Sequence, residues 1–518
     1  MEVQHAGTAL QIRPHANLAC HHRGLSHCHF DSGVVHVSQT TEGISPSGTE
    51  GSLPLLGRER NWSPRALFFS YSQTAVATWC FIIGGYVSFY LPAVQGSIVM
   101  IASMMAGMFL VYLATVPMAT RYGLEAVRST RPVFGTRGSL FAVALTFLFT
   151  VGWGTTLMIF SGKSAALLLI TLGVVSETNG PIAETVSSLI CLLVVWGLIS
   201  RGPGILRRIG VIVACSVLVL GVMVIVVIVA KVGVGSLLEA KPSAASGNKL
   251  LDYTTAIELM LATALSWWPF IGGMTRFSKS TKKSVRPVTL GLGLSLSVIC
   301  LIGLYTGLAF PDSGGNPLPG LLAIGGVWVA LPAFAFIIVA NIGTTMVGTY
   351  TAALSLKQQP AIDARLSWRG ATATAALTAA VLIVFLAEPF YNNFGAFLTL
   401  SGVVFGPLCG LQIVDYFIIR KQRLDLDGLY NDGPGTAYWY WKGINVAGFV
   451  SMGVGFVVYL LLLDPITFAS SPVFAFTTAS LPATLATGVV YVLLARLQPK
   501  VFGPGALDLD AQDAVTKS

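Results

Sequence analysis

Apolar residues come in long runs separated by short polar gaps. Twelve runs stand out, at 73–93, 96–117, 139–162, 184–200, 209–230, 254–274, 288–310, 323–354, 371–387, 393–419, 443–463 and 473–495. The hydrocarbon core of a bilayer is about 30 Å thick and takes roughly 20 apolar helical residues to cross. The pattern therefore predicts an all-α polytopic membrane protein with twelve transmembrane helices. The transmembrane domain is expected over 65–500, between a disordered N-terminal tail, 1–64, and a short C-terminal tail, 501–518.

Two runs are interrupted. The first holds Gly84 and Gly85 in "CFIIGGYVSFYLP", closed by Pro92, and the sixth holds Pro269, Gly272 and Gly273 in "ALSWWPFIGGMTRF". Glycine and proline free backbone carbonyls and amides, which persist at membrane depth only where they line a cavity or are buried in protein. Breaks in helices one and six fit an inverted repeat of five helices, about 70–232 against 254–420, with two helices added over 443–495. Carriers built this way bind substrate beside the breaks. Close helix packing through small residues is the competing explanation.

Charge orients the pattern. Only 10% of residues are charged, against about 25% in a typical soluble domain. All but four of the 31 Lys and Arg lie in alternate gaps; Lys231, Lys241 and Lys249 occupy the other side and Lys163 lies inside the third run. By the positive-inside rule both termini face the cytoplasm, as expected for a multi-pass plasma-membrane protein. The net charge of +9 then reflects loops facing anionic lipid rather than a nucleic-acid footprint. The lipid bilayer is the expected surrounding, with no obligate protein partner. Scattered cysteines imply no disulfide framework. All seven histidines precede residue 60, and Cys20, His21, His22, His27, Cys28 and His29 form a cluster that either holds a soft metal or is simply part of the tail.

Candidate chemistry is sparse inside the runs. Lys163, Glu388 and Asp415 read as interfacial or structural, and Glu258 as an interfacial carboxylate or, as a buried acid, a proton carrier. No nucleophile and base, HExxH or membrane carboxylate pair appears, so no enzyme and no cofactor are expected. Trp153, Trp267, Trp268, Phe270, Asn341, Thr344 and Thr345 suit a flat, neutral ligand: stacking on an aromatic ring contributes roughly 1 to 3 kcal/mol per base, and a buried hydrogen bond about 1 kcal/mol. In "NIGTT", Asn341, Thr344 and Thr345 share one helical face. With carbonyls near Gly84 and Gly85 they offer neutral oxygens for a sodium ion, or they serve interhelical hydrogen bonds.

Two loops carry a more specific signal. "RYGLEAVRSTRPVFGTRGS" after the second run and "DYFIIRKQRLDLDGLYNDGPGTAYWYWKGIN" after the tenth resemble the nucleobase:cation symporter family of purine and cytosine permeases, allantoin permeases and hydantoin carriers. The resemblance covers about 65–500 and implies the leucine-transporter-like inverted repeat. It also implies that Trp153 stacks on the substrate ring with Trp267 as partner, and that Asn341 reads the ring's edge. It implies too that Thr344 and Thr345 complete a sodium site; from the residues alone, Phe270 and Gly84 are expected to adjoin the substrate and Gly85 to join the sodium site. Leu157 and Met158 replace amides common in the family, Gly273, Met274, Thr275 and Arg276 replace an Asp-Tyr-Ser/Thr-Arg run, and Met346, Val347 and Gly348 replace an amide-rich stretch. The expected function is import of a nucleobase-like heterocycle, coupled to Na+ or H+, through a pocket less polar than a cytosine permease's. A non-transporting receptor and an amino-acid:cation symporter are the alternatives.

Overall fold

The computed structural model describes residues 53–75, 77–202, 204–313 and 317–502. The histidine and cysteine cluster and the C-terminal tail lie outside the described residues. In chain order the main helices are α1 (Pro64–Thr74), α2 (Trp79–Ser88), α3 (Ala93–Tyr122), α4 (Ser139–Thr171), α5 (Gly180–Ile199), α6 (Gly204–Lys231), α7 (Lys249–Leu265) and α8 (Trp268–Thr275). Then follow α9 (Thr281–Ala309), α10 (Pro317–Lys357), α11 (Trp368–Asn392), α12 (Phe394–Val414), α13 (Val446–Leu462) and α14 (Ser480–Phe502). Among the described residues, eight helices are long and apolar enough to cross a membrane, and three apolar segments are shorter. Each of the twelve runs falls on one helix or on a broken pair, α1/α2 or α7/α8.

The breaks differ in place from the sequence expectation. Helix one is interrupted between Thr74 and Trp79, and Gly84 and Gly85 lie within continuous α2. Those glycines serve packing: a Cβ at Gly84 would overlap the Cys300 carbonyl of α9, and one at Gly303 of α9 would overlap the Phe81 carbonyl. Helix one also begins at Pro64, where the Ser63 hydroxyl accepts from Ala66 N at 3.2 Å, a standard N-cap. In helix six the break is Ser266–Trp267, about a turn and a half ahead of Gly272 and Gly273. Pro269 sits in the first turn of α8, where its missing N–H has no helical partner to lose.

Packing carries the repeat. Helix two lies along α7 of helix six, helix one lies along helix seven, and α4 packs on α10 as the most extensive pair. Advancing each helix by five places exchanges these pairs, as two inverted halves require. α13 and α14 pack on each other and on α12, outside the repeat.

The basic loops gather at one end. Arg60 donates to the Arg121 carbonyl, Arg121 to Gln422, Arg128 to Gln358 and Arg420 to Pro132. The tail boundary at 64 moves earlier, because residues 53–63 are held at this end. Leu55 is buried and its N–H donates to the Gly123 carbonyl at 3.2 Å. Gly123, at φ +73, has no Cβ to block that approach. Trp62 stacks on Phe277 at 4.8 Å.

Candidate functional site

Both breaks open on one cavity. Thr74 and Trp79 flank the break in helix one, Ser266 and Trp267 form the break in helix six, and all four line it. The rest of the wall is Trp153, Gly154 and Leu157 from α4, Phe270 from α8, and Thr344, Thr345, Val347 and Gly348 from α10. About 20 Å³ is free, room for roughly one water.

The cavity is small because an aromatic side chain fills it. Trp79 stands between the two tryptophans singled out above, with ring centroids 5.1 Å from Trp153 at 63° and 6.1 Å from Trp267 at 45°. Trp267 in turn packs on Phe270 at 5.2 Å, and Phe397 braces Trp153 edge-on at 5.3 Å. Sequence reasoning missed Trp79, since it placed the break two turns later.

Two polar groups on this wall have no partner. The Trp153 indole N–H and the Thr345 hydroxyl are buried without a hydrogen bond, and an unmade buried bond costs about 1–3 kcal/mol. An acceptor and a polar group on a ligand would each recover that cost. Thr344 lines the cavity beside Thr345. Two hydroxyls next to an unwound segment fit a hard cation such as sodium, whose ligands are oxygens. The Gly85 carbonyl accepts instead from Ser88 Oγ at 2.6 Å inside α2, and neither Gly84 nor Gly85 lines the cavity.

Asn341 is also turned elsewhere. Its Oδ1 accepts from Thr78 N at 3.1 Å and Thr78 Oγ1 at 2.9 Å, while Nδ2 donates to Ser161 Oγ at 3.0 Å and the Leu157 carbonyl at 3.3 Å. Those four bonds use the full capacity of an amide. Asn341 is thus a strut between the break in helix one and α4, and a ring's edge finds no free amide there.

The ionisable groups inside the runs have structural partners. Glu258 accepts from Tyr459 Oη at 2.8 Å, Ser480 Oγ at 2.5 Å, and the N–H groups of Ala479 and Ser480 at 2.9 and 3.0 Å, capping α14. Lys163 bridges Glu184 at 3.0 Å and Glu388 at 2.9 Å, and Asp415 pairs with Arg420 at 2.8 Å. Trp268 donates to Gln412 at 2.6 Å and stacks on Phe405, away from the cavity.

A polar lock lies between the cavity and the basic-loop end. Arg276, just past α8, donates to Tyr350 Oη on α10 at 3.1 Å. Arg128 reaches the Gln358 carbonyl at 2.7 Å and the Leu429 carbonyl at 3.2 Å, and Arg131 pairs with Asp432 at 2.5 Å. Burial, with Arg131 adding repulsion, pushes the Arg128 guanidinium down to about 10. Burial also raises the Glu125 carboxyl, against the opposing pull of Arg276 and Arg128. This lock ties α8 and α10 to the loops after α3 and α12.

Known proteins resemble the chain in sequence and in fold. A family model described as a permease for cytosine/purines, uracil, thiamine and allantoin matches residues 54–481. The hydantoin permease of Microbacterium maritypicum is 24% identical over 78% of this chain and 83% of its own length. The purine-uracil permease NCS1 of Arabidopsis thaliana is 25% identical over 65% of this chain. The matched stretches span 58% of that relative and 44% of the allantoin permease of Bacillus subtilis, 24% identical over 38% of this chain. Among solved structures, Mhp1, a nucleobase-cation-symport-1 family transporter in a closed conformation with bromovinylhydantoin bound, superposes with a TM-score of 0.72 at 19% identity, covering 90% of this chain and 98% of that one. A Na+-coupled sialic acid symporter gives 0.56 at 16%, covering 84% and 90%.

Proposed function

The chain belongs to the permease family for cytosine/purines, uracil, thiamine and allantoin, and on that premise we propose that it imports a planar nitrogen heterocycle by cation symport and alternating access. The observation that carries this reading is the aromatic cavity where the two helix breaks meet, with the Trp153 N–H and Thr345 hydroxyl unpartnered on its wall. The substrate ring takes the slot that Trp79 fills, between Trp153 and Trp267 and beside Phe270. The coupling ion, sodium or proton, acts beside Thr344 and Thr345.

The cavity's composition narrows the substrate. Its lining is aromatic, aliphatic and hydroxyl-bearing, with no carboxylate and no cation, so a neutral ring enters with no charge to desolvate. One cation moving down 100 mV supplies about 2.3 kcal/mol, close to fifty-fold accumulation, so a single ion drives useful uptake. Both termini face the cytoplasm, as the loop charges favour, and the working site is the plasma membrane.

Uptake of labelled uracil, cytosine, hypoxanthine, allantoin and hydantoin, with and without sodium, tests the proposal. At least one compound is expected to accumulate and to lose most of its uptake in Trp153→Ala and Trp267→Ala. Absence of uptake for every ring compound would overturn it.

A further inference from the structure

A groove of about 760 Å³ opens at the basic-loop end, between the start of α1 and the start of α9. Its wall carries Arg65, Lys282, Lys283 and Arg286 over an apolar floor of Phe68, Phe69 and two prolines. The lining has no acid, all four cations are exposed, and none makes an ion pair among the described residues. Lys282 and Arg286 are one helical turn apart, where like charges repel. Four unneutralised cations round one groove ask for an anion.

The floor says what kind. Phe69 is 67% exposed, and the groove lies where helices one and seven enter the membrane. A small inorganic anion gains nothing from aromatic side chains there, whereas a phospholipid sets its phosphate among the cations and its glycerol and first methylenes on the rings. Basic pockets between membrane helices at this level bind anionic headgroups. We propose that this groove binds one anionic phospholipid. A zwitterionic lipid brings no net charge to offset the four cations and is the weaker ligand.

The site joins two elements that already touch. Ser72 of α1 donates to the Gly291 carbonyl of α9 at 3.0 Å, and the Phe68 carbonyl lies so near Gly291 that a Cβ there would be 2.9 Å from it. A headgroup held by Arg65 on one side and Lys282, Lys283 and Arg286 on the other reinforces that junction, so the lipid steadies the first half of helix one.

Native mass spectrometry of the purified full-length chain, titrated with phosphatidylglycerol or phosphatidylcholine, tests this without reference to transport. The wild type is expected to retain one phosphatidylglycerol at a concentration where phosphatidylcholine has dissociated. Combined Arg65→Gln, Lys282→Gln, Lys283→Gln and Arg286→Gln should raise the phosphatidylglycerol needed by at least tenfold. A control with Arg365→Gln, Arg369→Gln, Lys421→Gln and Lys442→Gln, exposed cations of the same end, should match the wild type. Should the fourfold groove variant not melt cooperatively, the pair Arg65→Gln and Arg286→Gln takes its place, with a threefold loss expected. Equal loss in the control, equal retention of both lipids, or displacement by millimolar inorganic phosphate would each overturn the proposal.

Discussion

Trp79 and a ligand ring cannot share the slot between Trp153 and Trp267. Removing the indole should make room for another one: Trp79→Ala is expected to bind free indole in the millimolar range by calorimetry, where the wild type shows none. Equal binding by both would mean that Trp79 does not fill the site. Thr345 and Asn341 should respond in opposite ways. Thr345→Ala deletes a hydroxyl that has no partner, so its melting temperature should stay within a degree or two while sodium-dependent uptake falls. Asn341→Ala strands Thr78 N and Thr78 Oγ1, at about 1–3 kcal/mol for each orphan, so thermal stability should drop clearly. The intramembrane aromatics Trp153, Trp267 and Phe270 were legible in the sequence because few other groups there suit a ring. The part played by Asn341 was not. Helical spacing assigns it to the face of Thr344 and Thr345, but that face is wide enough to meet both the cavity and α4.

At the level of elements, the two breaks differ in how they are encoded. Pro269 announces the one in helix six. The one in helix one has neither glycine nor proline between Thr74 and Trp79 among the described residues, and its Thr78 N–H is satisfied by an amide 263 residues away, which no local pattern reveals. The glycines that were legible have other work: Gly84 and Gly303 let α2 and α9 touch backbone to backbone. Gly84→Val should therefore abolish the monodisperse peak in detergent size-exclusion chromatography, whereas Gly273→Ala, with nothing within 4 Å of the added carbon, should elute like the wild type.

For the whole molecule, the alternation of basic loops was the more reliable guide, since a count over many gaps tolerates error in any one. Those loops meet at one end and build the lock around Glu125, Arg128 and Arg276. Because burial raises the Glu125 carboxyl, the locked state binds its proton more tightly than an open, hydrated state does. The resulting stabilisation of the lock is full below the ordinary glutamate range and is lost as pH rises through the raised value. Hydrogen exchange over 124–131 should accordingly quicken, beyond the intrinsic rate, as pH rises above the ordinary glutamate range, and Glu125→Gln should flatten that dependence. A flat wild-type profile would refute it.

Glu258 has a consequence for how the chain is made. Its partners Ala479 and Ser480 emerge from the ribosome 221 and 222 residues after it, and at about 5–20 residues per second that is a delay of roughly 10 to 45 s. Through that interval the carboxyl of helix six lacks the N–H groups that hold it in the finished protein. The last two helices, outside the repeat, therefore complete the setting of the sixth, and a chain cut after α12 would leave its carboxyl without these partners.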